Sequence, residues 1–217
     1  MTNVNFYRNE HLPFLEAKRC ARSDLAYQKH FHEEYSIGLI DEGETEAWCD
    51  GRAYRVETVR AISFPPGMLH ACRPASLESW KYTMLFIKPE WLEQLEPAMS
   101  EPLRIPFLLE GRKNQYCRRL INRVADALAG TDEPLAAESA VELIYALASR
   151  NTLDLEHPSG SGSNSRTSAE FRNNFMLTIM SGLRSKGWMK RWGSANSISY
   201  AFSRKARTCR LTPTKTC

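Results

Sequence analysis

Two short runs place histidine where it can act on a ligand or an ion: His30-Phe31-His32-Glu33-Glu34-Tyr35 and Pro65-Pro66-Gly67-Met68-Leu69-His70. Histidines separated by one residue on an extended backbone point the same way, so His30 and His32 can share one divalent ion, with His70 as a third nitrogen ligand. Imidazole also donates and accepts hydrogen bonds near neutral pH. The same trio therefore suits contact with an organic ligand, or hydrogen bonding at the mouth of a barrel. Glu33 and Glu34 stand too close to His32 to serve as a fourth ligand without a shift of the chain. The six cysteines, Cys20, Cys49, Cys72, Cys117, Cys209 and Cys217, form no C-x-x-C pair. They read as reduced, mostly buried thiols and not as a zinc or disulfide framework.

The elements that must hold these histidines are short strands. Residues 35–40 read as a strand, Asp41-Glu42-Gly43 as a turn, residues 45–49 as the hairpin partner and Asp50-Gly51 as the next turn. Residues 61–64 form a short strand that stops at Pro65, because proline cannot donate to a ladder. In residues 80–87, Trp80, Tyr82, Met84 and Phe86 line one face and Lys81, Thr83, Leu85 and Ile87 the other. Both faces turn apolar towards the end, as expected for a strand between two layers. Several short strands at near-regular spacing predict an antiparallel barrel or sandwich.

After Pro89 the period changes. A helical turn spans residues 90–95. Tyr116, Leu120, Val124 and Leu128, with Ile121 beside them, mark a helix over residues 112–129. Gly130 and Asp132 close it. A second helix starts near Pro134, and Ala137, Val141, Ile144 and Leu147 form its apolar stripe. The two make an antiparallel hairpin that either packs on the barrel or forms a partner-binding face. Residues 157–168, rich in Gly and Ser, read as a flexible linker.

Charge divides the chain at that linker. Across 217 residues the net charge is +4, yet residues 161–217 hold eleven Lys or Arg against one acid, Glu170. The first 160 residues carry 18 basic and 24 acidic groups. An acidic body with a basic tail is the footprint of a chain that brings phosphates to its C-terminal end. No run approaches the roughly 18 apolar residues of a membrane span, and residues 1–20 carry charges throughout, unlike a signal peptide. The expected location is the cytoplasm, with no membrane partner.

The two histidine runs, with Gly43 at the turn beyond the first, resemble the H-x-H and P-x-G-x-x-H motifs of the cupin superfamily. There, three histidines and a glutamate converge inside the barrel. Carried over, His30, His32 and His70 match the histidine ligands, while the glutamate position falls on Ser36 or Ile37. The wider pattern joins His30, His32, Tyr35, Ile37-Gly38 and Gly43 to His70-Ala71-Cys72-Arg73-Pro74. It continues through Trp80, Tyr82, Phe86, Ile87, Pro89, Trp91 and Leu92. This combination resembles the sensor domain of AraC-type transcriptional regulators over residues 10–150. The resemblance implies a mainly β, cupin-like antiparallel barrel followed by an α-helical hairpin. It also implies an effector site that mostly works without metal or other cofactor, and a homodimer built on the helices.

Such regulators carry two helix-turn-helix units in a C-terminal domain of roughly one hundred residues. Here Ser199-Tyr200-Ala201-Phe202-Ser203-Arg204-Lys205 and Leu211-Thr212-Pro213 resemble the end of the first unit's recognition helix and the Leu-Thr-Pro beyond it. Tyr200 stands where arginine is usual and Arg210 where the turn glycine is usual, and the second unit is absent. The region reads as a short basic remnant of an α-helical helix-turn-helix domain, truncated or frame-shifted.

The reading divides the chain into a barrel (10–90), a helical dimerisation segment (91–156), a linker (157–168) and an incomplete DNA-binding region (169–217). The expected effector contacts are His30, His32, Tyr35, Trp48, His70, Trp80, Tyr82 and Met84. The expected DNA contacts are Ser203, Arg204, Lys205, Arg207 and Arg210. The function this implies is a non-enzymatic transcriptional regulator that senses a small molecule and binds DNA. Two alternatives stand beside it: an effector-binding and dimerisation module without DNA binding, and a metal-dependent cupin enzyme using His30, His32 and His70.

Overall fold

A computed structural model describes residues 3–22, 28–95 and 105–148. Eight strands come first: β1 Asn3–Arg8, β2 Leu15–Ala21, β3 Tyr35–Glu42, β4 Thr45–Cys49, β5 Arg52–Val56, β6 Ala61–Phe64, β7 His70–Pro74 and β8 Lys81–Ile87. Three helices come after them: α1 Pro89–Leu95, α2 Gly111–Ala129 and α3 Glu133–Ala148. The strands form a five-stranded sheet in the order β1-β2-β8-β3-β6 and a three-stranded sheet in the order β5-β4-β7. Every named pairing is antiparallel. The expected mainly β, antiparallel architecture with a helix pair at its C-terminal side is what the chain forms. Strands β1 and β2, which the sequence pattern did not reveal, supply one wing of the large sheet.

Turn chemistry sets the register. Cys49 pairs with Arg52 across a two-residue loop, and both loop residues, Asp50 and Gly51, have positive φ, 48° and 75°. Asp-Gly meets that demand, and its twist matches the strands it joins. Gly43 turns with φ 86°. A Cβ there would meet the Ser79 carbonyl oxygen at 2.9 Å, so glycine is required for space as well as for conformation.

Alternation along the strands separates two cores. Leu15, Ala17, Ile37, Leu39, Leu85 and Ile87 form the outer face of the large sheet and share one cluster with buried residues of α1, α2 and α3. Cys20, Ile40, Ile62, Phe64, Trp80 and Tyr82 face the small sheet, which contributes Ala47, Cys49 and Val56. Barrel and helix pair are thus joined by a common apolar layer. In α2, Leu120, Ile121, Val124 and Leu128 are buried as their spacing predicts, and in α3 so are Ala137, Val141, Ile144 and Leu147. The side chain of Asp132 caps α3 by accepting the Leu135 N–H at 3.1 Å.

No helix among the described residues is long and apolar enough to cross a membrane. The linker and the tail, with Ser203, Arg204, Lys205, Arg207 and Arg210, lie outside the described residues, as do Cys209 and Cys217.

Candidate functional site

The three motif histidines meet. His30 and His70 form an isolated antiparallel bridge, each amide donating to the other's carbonyl at 2.9 Å. The Gly67 amide donates to the His32 carbonyl at 2.8 Å, and Gly67 adopts φ 73°. The proline-glycine turn after β6 thereby carries His70 back against the H-x-H segment. Ring centroids lie 4.9 Å apart for His30 and His32, 4.4 Å for His30 and His70, and 5.2 Å for His32 and His70. One nitrogen from each ring falls within 4.8 Å of the other two.

Their chemistry is set by the surroundings. His70 is 2% exposed and stacks on Phe64 with centroids 3.8 Å apart. Desolvation pushes its pKa down to about 4, outweighing the hydrogen bond to the Met68 carbonyl, with a further lowering from His30. The ring is therefore neutral at physiological pH. Its Nδ1 lies 2.9 Å from the Met68 carbonyl oxygen, an acceptor, so Nδ1 carries the proton and Nε2 is the lone-pair nitrogen. His30 repeats the device, with Nδ1 2.8 Å from the Gln28 carbonyl oxygen. Backbone carbonyls that fix the tautomer in this way prepare imidazole either to ligate a metal or to accept a ligand's proton.

The glutamate position of the cupin pattern resolves onto one residue. Ile37 faces the helices, so Ser36 takes the inner face. Ser36 pairs with Phe64 on one side and Phe86 on the other, the two rings that His70 and His32 touch. Its hydroxyl is buried without a hydrogen-bond partner, as are Thr45 Oγ1 and Trp80 Nε1. Thr45 shares the inner face with Ala47 and Cys49, and Trp80 shares it with Tyr82, so three of the four orphaned groups belong to the inner layer; the fourth, the Ser139 hydroxyl, lies on α3. Buried polar atoms of this kind are rare, and an unfilled ligand contact is one of their explanations.

Trp80, Tyr82 and Met84 line the inside as expected from alternation. Two expected residues are placed elsewhere. Tyr35 shares a face with Ile37 and packs against the helix-side core. Trp48 alternates with the buried Ala47 and Cys49, which puts it on the outside of the small sheet, where the Lys29 ammonium lies 3.7 Å from its ring centroid. Both placements obey the period of two along a strand, which a choice of aromatics by residue type does not respect.

Sequence reasoning missed Ser36, Phe64 and Phe86, and with them Glu16 and Lys18. Glu16 and Lys18 pair with Phe86 and Met84 across β2 and β8. Glu16 forms an ion pair with Arg8, and the Lys18 ammonium lies 5.3 Å from the Tyr82 ring centroid. The alternation of Leu15, Ala17 and Arg19 with Glu16, Lys18 and Cys20 was the available signal, a strand with one polar face. The cysteines Cys20, Cys49, Cys72 and Cys117 are free thiols, and burial pushes Cys117 up to about 12, so it stays protonated.

Residues 20–148 match the family model described as the AraC-like ligand binding domain. Among curated proteins, the uncharacterized HTH-type transcriptional regulator YbfI of Bacillus subtilis (strain 168) is 23% identical over 93 residues, which is 43% of this chain. The aligned part is about a third of that relative, 34% of its length. Among solved structures, the AraC-like transcriptional activator CuxR is similar at 14% identity, covering 83% of this chain and 65% of that one, with a TM-score of 0.46. A Cupin 2 conserved barrel domain protein from Salinispora arenicola CNS-205 is similar at 17% identity, covering 43% and 81%, with a TM-score of 0.36.

Proposed function

The chain belongs to the family of AraC-like ligand-binding domains, and we propose that it is the sensor of a one-component transcriptional regulator, a binding protein and not an enzyme. The observation that carries this reading is the unsatisfied hydrogen-bonding capacity inside the roll. Tautomer-fixed His70 and the orphaned Ser36 hydroxyl belong to one apolar, aromatic layer. That combination suits a small organic effector with an apolar body and at least one O–H or N–H group, which donates to imidazole Nε2 while Ser36 finds its missing partner. The effector's differential affinity for two arrangements of barrel and helices would then change how the chain engages DNA.

DNA contact is assigned to Ser203, Arg204, Lys205, Arg207 and Arg210 and to the basic charge around them, with phosphate the main target. The protein acts in the cytoplasm in this reading, as a homodimer. Among the described residues the large exposed apolar side chains are Phe6, Phe31, Val59, Leu69 and Leu77, none of them on α2 or α3. A dimer contact through the helices would therefore be polar. Gel-shift titration at low salt tests the proposal: the full chain binds duplex DNA, and removing residues 160–217 weakens it. No affinity, or affinity indifferent to that removal, overturns it.

The histidine geometry favours a second reading, a divalent metal held by His30, His32 and His70. The nitrogen-only donor set, with the tautomers of His30 and His70 fixed by backbone carbonyls, fits zinc, nickel, iron or manganese in that order of softness. A metal there would polarise a bound oxygen or nitrogen group of the ligand. Near-stoichiometric metal in the purified protein would support it, and metal-free protein that binds neither zinc nor nickel in a titration would remove it.

A further inference from the structure

The helix α2 buries one side against the sheet and α3 and turns the other to solvent. The solvent side carries Arg112, Gln115, Arg118, Arg119, Arg123 and Asp126, all exposed. A groove of roughly 630 Å³ runs along it, lined by Gln115, Arg118, Arg119, Asn122, Arg123, Asp126 and Leu135. Four guanidinium groups thus stand on one face, within a body whose first 160 residues carry more acid than base.

Helix stability does not explain that choice. Arg119 and Arg123 are four residues apart, where like charges cost a few tenths of a kcal/mol and a Glu-to-Arg order would have been favourable. For Arg118, Arg119 and Arg123, close ion pairing among the described residues absorbs little of the charge, although Arg118 also acts on the Asp41 carboxylate through space. Arg123 reaches Glu142 only at 3.8 Å, and Glu142 is already engaged by the Tyr116 hydroxyl. Arg118 and Arg119 form no ion pair among the described residues. Arg119 lies over the Tyr116 ring, 5.4 Å from its centroid, which holds the guanidinium in place without neutralising it.

Planar, weakly hydrated, permanently charged donors interleaved with amides are the side chains that contact phosphodiester oxygens. We propose that the outward face of α2, through Arg118, Arg119 and Arg123 with Arg112, Gln115 and Asn122, is a second DNA-backbone contact surface, additional to the C-terminal basic residues. The inference rests on the DNA-binding reading above. It adds that the sensor part itself touches phosphate, without reading sequence. Two copies joined through this face would bring arginine against arginine.

The test is the salt dependence of binding to a 30-base-pair duplex by the full chain. Each lost phosphate contact lowers the slope of log affinity against log salt by about 0.9. Arg118→Gln, Arg119→Gln and Arg123→Gln combined should reduce the slope by about two to three, with the melting profile by circular dichroism retained because all three residues are exposed. Arg52→Gln, an exposed arginine on β5, should leave the slope unchanged. A slope in the triple variant within about 0.5 of the unaltered chain overturns the proposal, and leaves the DNA reading standing if Arg204→Gln with Lys205→Gln still lowers it. A fall of about 0.9 with Arg52→Gln, one arginine's share of the fall in the triple variant, reduces the effect to net charge and overturns it too. Stronger binding to polyglutamate than to the duplex, lost in the triple variant, would make the partner an acidic protein and overturn it. Absence of any duplex binding by the unaltered chain removes both readings.

Discussion

His30 and His70 are fastened together twice through the backbone, each amide donating to the other's carbonyl at 2.9 Å, while their rings stand 4.4 Å apart. Burial keeps His70 neutral and the neighbouring His30 ring adds to that effect, so protonating His70 costs the folded chain stability. The folded pKa of His70 is about 4 against 6.5 unfolded. Between those values the unfolded chain binds the extra proton, so stability falls as pH drops from about 6.5 towards 4 and is fully present above 6.5. The whole loss is about 3 kcal/mol, because each tenfold difference in proton affinity between the folded and unfolded chain is worth about 1.4 kcal/mol. Urea melts at pH 7.5 and 4.5 should show it, and His70→Gln should flatten the dependence. An unaltered dependence in that variant would assign the effect to other groups.

Ser36 leads to an opposite kind of expectation. Its hydroxyl is buried without a partner, so Ser36→Ala should leave the ligand-free protein unchanged or up to about 1 kcal/mol more stable, because it removes an uncompensated desolvation cost. Ser36→Glu would instead restore the carboxylate of the cupin pattern beside the three histidines. It should destabilise the protein without metal and raise nickel affinity at least tenfold by calorimetry. A Ser36→Ala variant destabilised by more than about 1 kcal/mol would mean that the hydroxyl has an internal partner after all.

Asn114 ties the helices to the barrel. From the first turn of α2 its Oδ1 accepts the Ala61 N–H at 2.8 Å and its Nδ2 donates to the Val59 carbonyl at 2.7 Å. Val59 holds a positive φ of 63°, a costly conformation for a β-branched residue, and the amide clamps both ends of that turn. Asn114→Ala strands the buried Ala61 N–H and the part-buried Val59 carbonyl and should cost about 1–3 kcal/mol. Asn114→Asp keeps only the acceptor and should fall between. Equal stability for the three proteins in thermal melts would show that the clamp contributes nothing.

The histidine site was legible because its signals are local. H-x-H places two rings on one side, and Pro65-Pro66-Gly67 forces the turn that returns His70. The strands with a paired, apolar alternation, such as 45–49 and 61–64, were equally plain. Strand β1 was not, since Asn3, Asn5, Phe6 and Arg8 are exposed and offer no buried alternation. Edge pairing with β2, a tertiary event, makes it a strand. Tyr35 and Trp48 show the other limit. Residue type suggested a ligand contact, but which face a side chain takes is decided by strand parity. Ser36 was hidden for the same reason, because the motif allowed two adjacent positions and only the register with Phe64 and Phe86 selects the inner one.

Gly38 sits on β3 between Ser36 and Ile40, facing inwards. A Cβ at this position would lie 3.1 Å from Met84 Cε, 3.2 Å from Met84 Sδ and 3.4 Å from Ile62 Cγ1. The nearest atoms belong to the end of a flexible side chain, so Gly38→Ala should be tolerated within about 1 kcal/mol as Met84 rotates away. Gly38→Leu cannot be absorbed that way and should cost about 1–3 kcal/mol through overpacking. The informative quantity is the difference between the two in ligand response. If the effector is taken up beside Met84, Ser36 and the histidines, alanine narrows that region and leucine fills it. A compound found by thermal shift to stabilise the unaltered chain should stabilise Gly38→Ala less and Gly38→Leu not at all, while both variants keep the circular dichroism spectrum of the parent. A compound whose stabilisation survives in a folded Gly38→Leu protein binds outside the roll, and the inner layer would then lose its role as the sensing site.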